Sequence, residues 1–103
     1  MAKLTLVASP NFSAITRIPV PGSEPAEVQI TYKHRTREQL KQLFDEIKDM
    51  KDAELIEAIA SGWDLTEPFN RANIETLLQN YHAAARAAWN TYLDELAGQR
   101  QGN

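Results

Sequence analysis

Two different hydrophobic periods divide this chain near Arg35. Before that point, apolar residues tend to recur at every second position, the spacing of a half-buried strand. Phe12, Ala14, Thr16, Ile18 and Val20 fall on one face, with Ser13 and Arg17 on the other and Ile15 as the exception. Val28, Ile30 and Tyr32 then alternate with Gln29, Thr31 and Lys33. Between the two runs lies Pro21-Gly22-Ser23-Glu24-Pro25, dense in turn residues. The pattern predicts two antiparallel strands joined by a short loop. Pro19 has no N–H to give a ladder, so its strand is expected to end there or to lie at a sheet edge. Leu4, Leu6 and Ala8 also alternate and predict a third strand, ended by Ser9-Pro10. A lone hairpin is marginal in water, so the sheet must lean on helices.

After Arg35 the period becomes 3.6. Thr36 and Gln39 have the spacing of a capping box. The helix they start carries Leu40, Leu43, Phe44 and Ile47 on one stripe, with Lys41, Gln42, Asp45, Glu46 and Lys48 opposite. Asp52 opens a second helix, with Leu55, Ile56, Ile59 and Ala60 inward and Gly62 just past its end. Asn70 caps a third, whose face holds Ile74, Leu77, Leu78 and Tyr81. The fourth carries Ala85, Ala88, Trp89, Tyr92, Leu93 and Leu96 and stops at Gly98. The expected fold is α+β: an N-terminal antiparallel hairpin or three-stranded meander followed by about four packed helices. Residues 1–103 form a single domain, with a β-rich part (1–35), a helical part (36–97) and a polar tail (98–103).

Composition narrows the class. With 43% hydrophobic and 24% charged residues, the chain is globular rather than disordered. A net charge of -3 argues against a dedicated nucleic-acid binder, which normally carries a basic surplus. The absence of cysteine excludes disulfides, thiolate metal sites and a cysteine nucleophile. The first apolar run is too short and interrupted for a signal peptide. No stretch approaches the roughly 20 apolar residues of a membrane span. A soluble intracellular protein is expected.

The candidate chemistry is sparse. His34 and His82 lie far apart in sequence and outside any metal-ligand spacing. Asp45, Glu46, Asp49, Asp52, Glu54 and Glu57 are interleaved with Lys41, Lys48 and Lys51, which reads as a solvated face with helical ion pairs. Lys33, His34, Arg35 and Arg37 form a short basic cluster beside a helix start, suited to a phosphate or to plain solvation. The glycines are isolated, and no serine sits in a nucleophile-elbow context. By elimination the chain is not read as an enzyme, and no cofactor or metal is expected.

The large aromatics remain. Gly62-Trp63-Asp64-Leu65-Thr66-Glu67-Pro68-Phe69-Asn70 packs two of them, a proline and a helix-start asparagine into one connector. Exposed aromatics of this size are a liability, so the connector is either a packed hinge or part of a surface that meets a partner. The last helix has a slim alanine-rich first half and a bulky second half with Trp89, Tyr92 and Leu93. These too are either core or interface anchors.

Two segments carry a resemblance. Tyr32-Lys33-His34-Arg35-Thr36-Arg37-Glu38-Gln39-Leu40 couples a strand end to a capped helix. The Gly62–Phe69 connector is followed by Asn73, Leu77-Leu78, Asn80-Tyr81 and Trp89-Asn90-Thr91-Tyr92-Leu93. Together with Pro10-Asn11-Phe12 and Ile18-Pro19-Val20-Pro21-Gly22, they resemble the tail assembly chaperones of long-tailed bacteriophages and prophages. The resemblance covers nearly the whole chain and implies a non-enzymatic assembly factor in the host cytoplasm. Such proteins coat the hydrophobic tape measure protein, keep it soluble and help recruit tail tube subunits. They are absent from the mature virion and often form a homo-oligomer. Many also exist as a frameshifted longer form, and the polar tail here suits the unextended one. Trp63, Leu65, Phe69, Trp89, Tyr92 and Leu93 are the candidate partner-binding residues. His82-Ala83 stands where a Pro-Gly pair is expected, which predicts a smooth join between the last two helices, with Asn80 in a left-handed cap. The alternatives are a structural tail component retained in the virion and a small nucleic-acid-binding regulator using Lys33, Arg35 and Arg37.

Overall fold

The computed structural model describes residues 4–98. Strand β1 (Asn11–Ile18) pairs antiparallel with β2 (Ala26–Lys33), and helix α1 (Arg37–Glu46) follows, extended by a 3-10 turn at Ile47–Asp49. Helix α2 (Asp52–Ile59) runs directly into β3 (Ala60–Trp63). Helices α3 (Arg71–Asn80) and α4 (Ala84–Ala97) complete the fold. The sheet order is β1-β2-β3, antiparallel throughout. The architecture is α+β, with the hairpin first and the helices largely after it.

The hairpin forms as its sequence dictates. Val20, Pro21, Gly22 and Ser23 make the turn, closed by a hydrogen bond from the Ser23 N–H to the Val20 carbonyl at 3.0 Å. Gly22 has φ +75°, the left-handed conformation that the third residue of a type II turn after proline requires. β1 ends at Ile18, before Pro19, and is an edge strand. Register pairs Phe12 with Tyr32, Ala14 with Ile30 and Thr16 with Val28 on the inward face. Ile15 stays outward and exposed opposite Gln29.

The third strand is not the expected one. Leu4, Leu6 and Val7 are 88%, 102% and 86% exposed and belong to no strand. The free edge of β2 is taken instead by Ala60–Trp63. That segment is anchored by Ile59 and Ala60, both essentially buried, whereas Leu4–Ala8 has no such hold on the core. Gly62 is therefore a strand residue opposite Thr31, not the residue just past α2.

The helix starts follow their signals. The Thr36 hydroxyl accepts from the Gln39 N–H at 3.2 Å, and the Gln39 side chain accepts from the Thr36 N–H at 2.9 Å. The Asn70 side chain accepts from the Asn73 N–H at 2.8 Å. α4 ends at Gly98 with φ +78°. The α3–α4 join is sharp rather than smooth. α3 stops at Asn80, and Tyr81 is extended at φ -126°, ψ 90°. Among the described residues no non-glycine has positive φ, so Asn80 forms no left-handed cap.

Leu43, Ile56, Ile59 and Ile74 meet Val28, Ile30, Tyr32 and Tyr92 in one core. Tyr32 is wholly buried, and its hydroxyl shares a hydrogen bond with Thr16, also wholly buried. Burial pushes the Tyr32 phenol up to about 12, against the opposing effect of Thr16 and with a smaller push from the Glu95 carboxylate. The folded-state value lies above the ordinary 10.0, so neutral Tyr32 favours the fold fully below pH 10. That contribution is lost as pH climbs toward about 12. Alkaline titration followed by tyrosinate absorbance and circular dichroism should show the Tyr32 phenol ionising late, coupled to loss of structure. Tyr32→Phe should remove the late step.

Candidate partner-binding surface

The connector from β3 to α3 is tied down at several polar points. The Asp64 N–H donates to the Gln29 carbonyl at 3.1 Å, and the Asp64 carboxylate accepts from the Gln29 N–H at 3.0 Å. The Trp63 indole N–H donates to the Glu67 carbonyl at 2.7 Å. The Asn73 side-chain amide donates to the Pro68 carbonyl at 2.8 Å. Phe69 packs edge-on against Trp63, with ring centroids 5.1 Å apart at 86°. The connector is thus a packed hinge, with the polar end of its tryptophan satisfied inside its own loop.

The apolar body of Trp63 has a different setting. With Leu65 it forms one wall of a groove of about 320 Å³. Ile18, Val20 and Val28, at the turn end of the hairpin, also line it, with Leu77 of α3 and Tyr81 just past the end of that helix. Asn73, Thr76 and Asn80 rim it, and among the described residues Glu67 is its only charged lining residue. Grooves of this kind take apolar side chains by removing their surface from water.

The second half of α4 builds another cluster. Phe44 of α1, 42% exposed, stands edge-on against Trp89 at 5.7 Å. Trp89 leads inward to Tyr92 at 6.2 Å, and Tyr92 stacks on Phe12 at 6.1 Å. Tyr92 is fully buried. Its hydroxyl donates to the Lys33 carbonyl at 2.8 Å and accepts from the Arg35 guanidinium at 3.0 Å.

The six residues singled out from sequence therefore fall into two groups. Trp63 and Leu65 line the groove, and Phe69 backs Trp63 from outside the lining. Trp89 and Leu93 are half-buried on α4, while Tyr92 is core. Ile18, Val20, Leu77 and Tyr81 were not singled out from sequence. Leu77 and Tyr81 were legible only as part of a helix stripe, and nothing in the pattern separates a stripe that meets the core from one that stops short of it. Val20 was legible only as the last inward position of the first strand pattern, whereas the strand itself ends at Ile18.

The charged features have settled into structural roles. The Lys33 ammonium donates to the Glu57 carbonyl at 2.9 Å, and Arg35 holds Tyr92. Two of the four members of the basic cluster are thus spent inside the molecule. The ion pairs lie elsewhere than expected: among the described residues Arg71 bridges Glu57 and Glu75, Arg17 meets Glu27 across the hairpin, and Lys41, Lys48 and Lys51 pair with no carboxylate. Among the described residues no group of three histidine or acidic side chains could hold a metal ion, and no helix is long and apolar enough to cross a membrane.

A family model described as a phage tail assembly chaperone matches residues 1–103, the whole chain. The chain belongs to that family. No curated protein and no solved structure gave a match. The tail assembly chaperone presents an open apolar groove beside its hydrogen-bonded connector.

Tyr92→Phe separates the structural tyrosine from the half-exposed residues around it. It leaves the Lys33 carbonyl and the Arg35 guanidinium without their partner. Urea unfolding should show a loss of about 1–3 kcal/mol. Asn70→Ala, which uncaps α3 beneath the groove, should lose about 1 kcal/mol by the same measurement.

Proposed function

We propose that this chaperone binds the tape measure protein, keeps it soluble and helps recruit tail tube subunits, with no enzymatic step and no cofactor. The observation that carries this reading is the open apolar groove beside Trp63 and Leu65, set in a frame whose own polar groups are satisfied. A long helical client exposes apolar stripes that water disfavours and that such a groove can cover reversibly. Trp63 and Leu65 are the proposed contacts, with Phe69 holding Trp63 in place. Trp89 and Leu93, beside exposed Phe44, offer a second and flatter apolar surface, with Tyr92 as its buried support. The work is done in the host cytoplasm, and the chaperone does not remain in the mature virion.

Co-expression with the tape measure protein encoded nearby, followed by affinity capture, tests the reading. The client should become soluble and co-purify. Leu65→Glu should lower capture about tenfold or more, since it sets a charge where apolar surface is to be covered. A client that stays insoluble beside well-folded chaperone overturns the proposal. Mass spectrometry of purified virions should find no copies of this chain; their presence would favour a retained tail component.

A further inference from the structure

The segment before β1 is the most exposed apolar stretch described. Leu4, Leu6 and Val7 are each at least 86% exposed, and no helix or strand covers them. Three large aliphatic side chains within four residues on the surface of a folded domain call for a cover. At the other end of the sheet lies an apolar groove of about 320 Å³.

Leu6 and Val7 cannot reach the groove of their own chain. The segment leaves the sheet at the Asn11 end of β1, whereas the groove lies at the Ile18 end. Eight residues of strand separate the two ends, a run of about 23 Å at strand spacing. From Asn11, fully extended chain carries Val7 at most about 14 Å and Leu6 about 18 Å, both short of the groove; only Leu4, at about 24 Å, has the length, and only if every residue between is fully extended. The segment is in addition bent, with the Thr5 hydroxyl donating to the Val7 carbonyl at 2.9 Å. A second copy has no such limit. Charge agrees with this occupant. Lys3 adjoins Leu4 in sequence, and among the described residues Glu67 is the only charged side chain lining the groove.

We propose that the groove of one copy seats the Leu4–Val7 segment of a second copy. Exchange in both directions gives a closed, self-complementary pair in which both exposed segments and both grooves are covered. The same exchange keeps the groove from meeting the wrong apolar surface while no client is present. The proposal rests on the groove alone and not on the identity of any client.

The absence of cysteine makes a clean test. A Leu6→Cys chain is mixed under mild oxidation with a Thr76→Cys chain of different mass, Thr76 being on the groove rim. An Asp45→Cys chain, changed on the exposed side of α1, serves as control. A mixed disulfide should form with Thr76→Cys at least about tenfold faster than with Asp45→Cys, as seating raises the effective concentration. Sedimentation of the unaltered chain should show a dimer, and Leu6→Asp should weaken it about tenfold or more. Leu6 touches no core residue, so the Leu6→Asp monomer should keep the parent circular dichroism spectrum. Equal rates of cross-linking, a parent chain that stays monomeric, or a dimer indifferent to Leu6→Asp would each overturn the proposal. No client enters these measurements, so their failure and a failure of client capture are separate results.

Discussion

Two buried phenols hold the sheet and the last helix to one another. Tyr32 on β2 and Tyr92 on α4 meet at 5.6 Å, with Phe12 of β1 stacked against both. Buried hydroxyls without partners would cost more than their rings contribute. Here Thr16 satisfies one, and the Lys33 carbonyl and Arg35 satisfy the other. Among the described residues no buried side-chain polar atom lacks a partner. The chain leaving β2 is therefore fixed where it turns toward α1. That fixes Thr36 as a helix start and lets Leu43 reach the core.

The groove follows from the same arrangement. The aromatic cluster closes the Asn11–Lys33 end of the sheet, where α4 packs on β1. The turn end receives only α3 and the β3 connector. α3 is tied to its neighbours by the Asn73 side-chain amide on the Pro68 carbonyl and by the pairing of Arg71 with Glu57 of α2. It cannot settle further onto Ile18 and Val28 without breaking those ties or moving Trp63, whose own N–H is anchored to Glu67. The opening is thus a consequence of satisfied polar groups around it rather than of loose packing.

Much of the fold was legible in the sequence, for local reasons. Period-2 alternation gave the hairpin, Pro21-Gly22 its turn, and Thr36, Asn70 and Gly98 the helix boundaries, because each acts within a few residues. The third strand was misplaced because pairing is a long-range choice. Leu4, Leu6 and Ala8 have the better alternation, yet Ala60–Trp63 is tied to the core through Ile59 and wins the edge of β2. The Tyr81 break was hidden for the opposite reason. Neither glycine nor proline marks it, and the chain turns there through an ordinary extended residue. The candidate aromatics were found as residues but not as places. Sequence periodicity ranks a side chain as apolar; it cannot say that Tyr92 ends in the core while Trp63, equally aromatic, ends on a groove wall.

A groove of about 320 Å³ accommodates only a few aliphatic side chains at once. A single such contact is weak, since the area removed from water must first offset the lost freedom of two molecules. For an assembly chaperone, weakness at each site is an asset. On the proposed function, a long client with repeated apolar stripes would engage many copies in sequence, and linked sites reach high occupancy without any one of them being slow to release. Each copy can then be displaced locally when a permanent neighbour arrives with a larger interface. A deep pocket or a metal clamp would hold more tightly and release less readily. On this argument the small size of the groove, the rigidity of its walls and the exposure of its rim belong together, because each keeps contact specific enough to find a stripe and shallow enough to leave it.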